Sequence, residues 1–122
     1  MIVFPQDENR LHSMQGNHIA GVATPGSGAR QVEMWRGHME AGSATPPHRH
    51  SGEEVVLFLT GSGRATVDGQ EVRYAAGDTL IRPANAVHQI FAETESSFVS
   101  AMPLGDTVSL PDGTVMDLPW RA

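Results

Sequence analysis

The chain has no cysteine. That removes disulfides, thiolate nucleophiles and thiolate metal sites together, and leaves histidine and carboxylate as the strong ligands for any metal. It does not fix a redox compartment, because a chain without thiols suits either. Positive charge is scarce as well: 8 Lys and Arg stand against 14 Asp and Glu, a net charge of -6. With no basic cluster to offset this, nucleic acid is excluded as an expected partner. Long apolar runs are missing; the clearest, Val55 to Leu59, falls far short of the ~20 residues that a helix needs to cross a bilayer. Residues Met1 to Glu8 carry neither a basic segment nor an apolar one, so no membrane association and a cytoplasmic location are expected. Helical periodicity is almost absent too.

What is present is a pattern of short apolar runs and alternation, broken by Gly, Pro, Asp or Asn about every eight to twelve residues. This predicts an all-β chain, and 122 residues predict one domain over 1–122. Expected strands are 2–4, 18–23, 32–39, 54–60, 63–67, 70–74, 79–82, 86–92 and 98–102. Asp68-Gly69 suits a type I′ hairpin, in which both central residues need positive φ. A two-residue loop puts Ala65, Val67, Val72 and Tyr74 on one mostly apolar face, with Gln70 at its tip, and Arg64, Thr66, Glu71 and Arg73 on the other. After Met102, the prolines at 103, 111 and 119 predict a tail that wraps the barrel and adds no second domain.

The chemistry concentrates in four residues. On a strand, His48 and His50 point the same way, and Glu54 keeps the same parity. His88, on another strand, can complete the set. Three imidazoles and a carboxylate suit one divalent transition metal (iron, manganese, nickel, cobalt, copper or zinc) better than magnesium or calcium. In octahedral geometry this set leaves two open positions. Gly42, then five residues to His48-Arg49-His50, three to Glu54 and six to Gly61 resemble the first cupin motif at every position. Gly77, Pro83, Asn85 and His88 resemble the second, with Asn85 where that family usually has glycine and Ala92 where it often has asparagine. Asparagine tolerates the left-handed conformation that such a turn requires. The resemblance spans about residues 32 to 102 and implies a double-stranded β-helix, the jelly-roll barrel of cupins.

It also implies a metal-dependent enzyme on a small-molecule substrate, with dioxygenase, decarboxylase, lyase and isomerase chemistry all open. A metal- or ligand-binding protein without turnover is the alternative. Glu54 is the candidate proton carrier in catalysis. Parity places Val56 and Phe58 beside Glu54 and Ile90 beside His88, and Trp35 should face them, so these four are the expected substrate pocket. Arg49 should turn away from the metal. His12, His18 and His38 are expected to be surface or structural, with His38 the one that could reach the pocket mouth. Met34, Met39 and Met102 are expected as core filler. Exposed sheet faces and edges predict a homodimer, with the N-terminal strand or the tail through Trp120 as the covering or pairing element.

Overall fold

Alternation along each strand decides which side chains are covered. In the computed structural model, which describes residues 1–122, eleven strands run in the order β1 His12–Met14, β2 Asn17–Ala23, β3 Val32–Met39, β4 Arg49–His50, β5 Glu54–Thr60, β6 Ser62–Val67, β7 Gln70–Ala75, β8 Thr79–Arg82, β9 His88–Ala92, β10 Ser96–Pro103 and β11 Val108–Ser109. One sheet has the order β1-β2-β3-β10-β5-β8, a second β7-β6-β9, and β11 pairs with β4. Single bridges at Ala44–Phe91 and His48–His88 lay the segment before β4 along β9, so β4 and β11 extend the second sheet. The expected all-β double-stranded β-helix is the architecture observed. No helix is long and apolar enough to cross a membrane.

Inward residues form two apolar clusters. One contains Met39, Val56, Phe58, Ala65, Tyr74, Ile90, Ala92 and Phe98. The other contains Trp35, Met102, Val108, Leu118 and Trp120. Gly37 sits directly opposite Phe98 in the β3–β10 register, and a Cβ there would run into the Phe98 ring, so only glycine lets the ring lie flat across the strand. Met39 and Met102 are core residues as expected, whereas Met34 is half-buried on the outer side of β3.

The Asp68-Gly69 turn has the positive φ values expected, 48° and 79°. Ala65 and Tyr74 are buried, but Val72 is 39% exposed, because β7 is an edge strand and only one end of its apolar face is covered. On the other face Arg64 donates to Glu71 at 3.0 Å and Arg73 to Glu93 at 2.5 Å. The expected strand over residues 2–4 does not form. Phe4 instead lies under the Arg10 guanidinium, 4.5 Å away; Phe4 to Asp7 and Arg10 line a crevice with Ala20 and Arg36, and Glu8–Arg10 make one turn of 3-10 helix capped by Asp7. The expected strand over 18–23 forms as β2, whereas β1 and its turn carry no sequence signal, because the turn places Gln15 at φ 49° before Gly16 at 84°, and glutamine is no turn signal.

Candidate metal centre

The site lies at one end of the barrel, where four elements converge. His48 precedes β4, His50 is in β4, Glu54 opens β5 and His88 opens β9. Antiparallel pairing brings the His48 and His88 backbones together, with His48 N donating to His88 O at 3.1 Å and His88 N to His48 O at 2.8 Å. The turn before His88 is made by Asn85 at φ 64°, the conformation expected of its substitution for glycine.

Each imidazole is fixed through its Nδ1. His48 Nδ1 lies 2.6 Å from the Pro46 carbonyl, His50 Nδ1 2.7 Å from Asp106 Oδ2, and His88 Nδ1 3.1 Å from the Ala86 carbonyl. Carbonyls and carboxylates accept only, so each Nδ1 carries the proton and each Nε2 presents a lone pair. His48 Nε2 and His88 Nε2 are 3.0 Å apart, and His50 Nε2 is buried without a hydrogen-bond partner. The ligand atoms of the three rings all lie within 4.8 Å of one another. Burial pushes the His48 pKa down to about 4, with Arg82 and His50 adding to the shift against the Pro46 carbonyl. His88 is lowered as well, first by burial and then by Arg82, His48 and His50. His48 and His88, held neutral, turn facing lone pairs toward each other that repel unless a cation lies between them, so this donor set suits a transition-metal ion.

Glu54 Oε1 lies 3.5 Å from His50 Nε2 and 3.6 Å from His88 Nε2. The same oxygen contacts the Arg82 guanidinium, which is its cross-strand partner in β8. Both side chains are 4% exposed. Burial lowers the Arg82 pKa and Glu54 opposes that shift, as expected of an ion pair removed from water. Arg49 turns away from the rings, as alternation requires, and its Nη2 donates to Pro111 O at 3.1 Å.

A cavity of about 290 Å³ opens beside the rings, lined in part by Trp35, Ile90, Phe98, Val108, Leu118 and Trp120. Trp35 and Ile90 are thus in the wall. Val56 and Phe58 are not: both have the inward parity expected, but they lie deeper along β5, 0% exposed, with Phe58 stacked on Tyr74 at 3.8 Å. His38 does not reach the mouth, because it projects from the outer face of β3, 2.6 Å from Glu95 and opposite His18. Three residues at the site had no signal in the sequence. Asp106 holds His50 and also accepts from Ser51 Oγ at 2.7 Å and Gly52 N at 2.6 Å. Arg82 and Trp120 reach the site through strand register and the return of the tail.

A double-stranded β-helix with histidines at one end is the architecture of a cupin. The chain belongs to that family: its model, described as a cupin domain, matches residues 35–102. Curated relatives include auxin-binding protein 1 of Arabidopsis thaliana, 33% identical over 70% of this chain and 47% of its own length. Auxin-binding protein T85 of Nicotiana tabacum is 32% identical over 71% of this chain and 51% of its own. The chain spans about half the length of these relatives. Among solved structures, a salicylate 1,2-dioxygenase of Pseudaminobacter salicylatoxidans aligns with a TM-score of 0.66 at 19% identity, over 71% of this chain and 26% of that one. KdgF of Halomonas sp. aligns at 0.67 and 18% identity, over 76% and 84%.

Proposed function

We propose that this chain is a metal-dependent enzyme acting on a small organic ligand that chelates a divalent transition metal, with His48, His50, His88 and Glu54 as the metal ligands. The observation that carries this reading is the arrangement of lone pairs: three imidazoles with engaged Nδ1–H groups turn Nε2 toward one another with no donor to meet them. A divalent ion held there supplies Lewis acidity and, if it is iron, dioxygen activation. Glu54 is the carboxylate placed to carry a proton at the chelating atoms, and Arg82 supplies its counter-charge. With Glu54 balanced in this way and the imidazoles neutral, the charge facing the cavity is positive and favours an anionic oxygen ligand, above all a carboxylate. Trp35, Phe98 and Trp120 in the wall favour a flat apolar body. A cavity of ~150 Å³ holds benzene, so about 290 Å³ suits one ring with substituents. The salicylate dioxygenase is described with gentisate bound, which agrees with this ligand class.

A second reading, a binding protein without turnover, is supported by the auxin-binding relatives. Elemental analysis of the purified chain, followed by oxygen uptake on iron-restored protein with salicylate, gentisate, catechol, flavonol and thiol substrates, separates the two. Uptake supports the enzyme, and tight ligand binding without uptake supports the second reading and excludes the dioxygenase branch. Metal content in wild type no greater than in His48→Ala sinks both.

The chain is also proposed to form a homodimer through the outer face of the six-stranded sheet. Val32, Leu57, Leu59 and Ile81 on that face are 55%, 40%, 52% and 61% exposed, and register places Val55 and Val99 among them. An apolar face of this kind is an association surface, and a second copy offers the same face across a two-fold axis. Sedimentation of wild type beside Leu57→Asp should give a dimer and a monomer. A monomeric wild type ends the proposal.

A further inference from the structure

Two buried glutamates each meet an arginine, and the two pairs are built differently. Glu33, in β3, is 0% exposed. Arg121 clamps it twice, from Nε at 2.6 Å and Nη2 at 2.9 Å. Trp35 Nε1 and Gly105 N donate to the same carboxylate at 2.7 Å and 3.1 Å. Those four donors use the ~4 acceptor sites that a carboxylate has, and a two-pronged pair of this kind is complete within the protein.

The pair of Glu54 and Arg82 is not. Alternation along β8 turns Arg82 inward on the face of Leu80, which packs against the apolar core, and register sets Arg82 opposite Glu54. Its Nη2 contacts Glu54 Oε1, but Nε and Nη1 are buried without partners, so no second prong forms. The contact is one of charge and not of hydrogen-bond alignment, since Oε1 has no aligned donor. The same Oε1 lies 3.5 Å from His50 Nε2 and 3.6 Å from His88 Nε2. Ligand atoms held about 2.0–2.2 Å from one ion stand about 3–3.6 Å apart, so this oxygen is already at ligand spacing. One oxygen therefore faces two cation positions, the guanidinium on the β8 side and the ring cluster on the other.

We infer that Arg82 is a positioning residue of the metal centre: it shares Glu54 Oε1 with the ion and so keeps Glu54 a weak ligand, one that a chelating substrate can displace. This rests on the metal-site reading above and divides its ligands into three imidazoles that hold the ion and one carboxylate held back from it. Two positive charges on one oxygen repel each other, so the ion binds less tightly than the same four ligands would hold it without Arg82. In the metal-free chain the guanidinium balances a buried carboxylate that would otherwise stand uncompensated. An ion pair with a structural role alone predicts the opposite, because breaking it would displace Glu54 and lower metal affinity.

The test measures zinc affinity of the whole chain by competition with a chromogenic chelator. Arg82→Met, which keeps an unbranched side chain without the charge, should bind zinc about 10-fold or more tightly than wild type. Arg82→Lys, which keeps the charge, should return close to wild-type affinity. With cobalt in place of zinc, the visible bands should shift in Arg82→Met, as Glu54 closes on the ion, and return in Arg82→Lys. Wild type supplies a reading that needs no folded Arg82→Met: its Arg82 guanidinium N–H resonances, assigned by their loss in Arg82→Lys, should move upfield when zinc draws on the shared oxygen. Unchanged or weaker zinc binding by Arg82→Met overturns the inference and leaves the metal-site reading standing. So does tighter binding with unmoved cobalt bands, which is plain repulsion without a change at Glu54, and so do guanidinium resonances indifferent to zinc. Wild type that holds no more zinc than His48→Ala overturns the inference together with the metal-site reading.

Discussion

The inward faces of β3, β5, β9 and β10 each serve two regions of different chemistry. Toward one end they carry Met39, Phe58, Ala92 and Ser96, the first three packed with Tyr74 in an apolar cluster that Phe98 joins from the cavity wall. Toward the other the same strands carry Trp35, Glu54 and Ser100 along the cavity, and His88 in the cluster of three rings beside it. At the closed end polar groups are satisfied: Tyr74 Oη and Ser96 Oγ share a hydrogen bond of 2.8 Å, and Ser96 Oγ donates to Thr94 O at 2.9 Å. At the open end Asn17 Oδ1, His50 Nε2, Arg82 Nε and Nη1, Ser100 Oγ and Trp120 Nε1 are buried without partners. Unsatisfied polar atoms are rare in native interiors, and their concentration at one end of shared strands sets the part of the molecule that specifies the fold apart from the part proposed to bind a ligand.

The sharpest way to break that comparison is to cut each end separately. His50→Ala should weaken metal binding by more than the ~100-fold that loss of a supporting partner reaches, read by competition with a chromogenic chelator, while the far-ultraviolet spectrum of the fold is kept. Phe58→Ala should do the reverse, costing about 3–5 kcal/mol of unfolding free energy in denaturant with unchanged metal per folded molecule. Equal metal loss in the two variants would show that the ends are a single unit. Next in size is Asp106→Asn. The amide cannot accept as a carboxylate does and leaves His50 Nδ1 poorly held, so metal affinity should fall about 10- to 100-fold. An unchanged affinity would remove Asp106 from the metal centre.

Asp106 also marks where the sequence stops being readable. The bounds of β3, β5 and β8 follow directly from alternation and turn residues, and His48, His50, Glu54 and His88 could be picked out because spacing and strand parity are local properties. Parity, however, carries no depth. Val56 and Phe58 share the face of Glu54 yet lie in the apolar cluster, Phe58 stacked on Tyr74, because distance along β5 from the open end, set by register with β8 and β10, decides which residues meet the cavity. The Asp106–His50 contact spans 56 residues and the Arg121–Glu33 clamp 88. Such pairings exist only after β11 has met β4 and the tail has returned, and neither composition nor period encodes that path. The Ile2 to Phe4 run failed for the opposite reason: a local apolar signal had no partner edge, and Arg10 captured the Phe4 ring instead.

The smallest effects test the comparison most finely, because they change one hydroxyl at each end. Tyr74→Phe should lower stability by about 1 kcal/mol at neutral pH, since Ser96 Oγ then loses a buried partner. Ser100→Ala should change it by less than ~0.5 kcal/mol, because the hydroxyl removed makes no hydrogen bond. Alkaline pH gives a second reading of the same residue. Burial raises the Tyr74 pKa above its ordinary value of 10.0, so above pH 10 the unfolded chain releases this proton while the native state keeps it. The contribution is therefore fully present below pH 10 and is lost as pH climbs through the native value. Wild type should lose more stability than Tyr74→Phe in denaturant titrations between about pH 10 and 11, and parallel loss in the two would mean that Tyr74 is no more buried in solution than a surface phenol. A Ser100→Ala variant destabilised as much as Tyr74→Phe would show a partner for that hydroxyl and erase the contrast between the satisfied end and the open one.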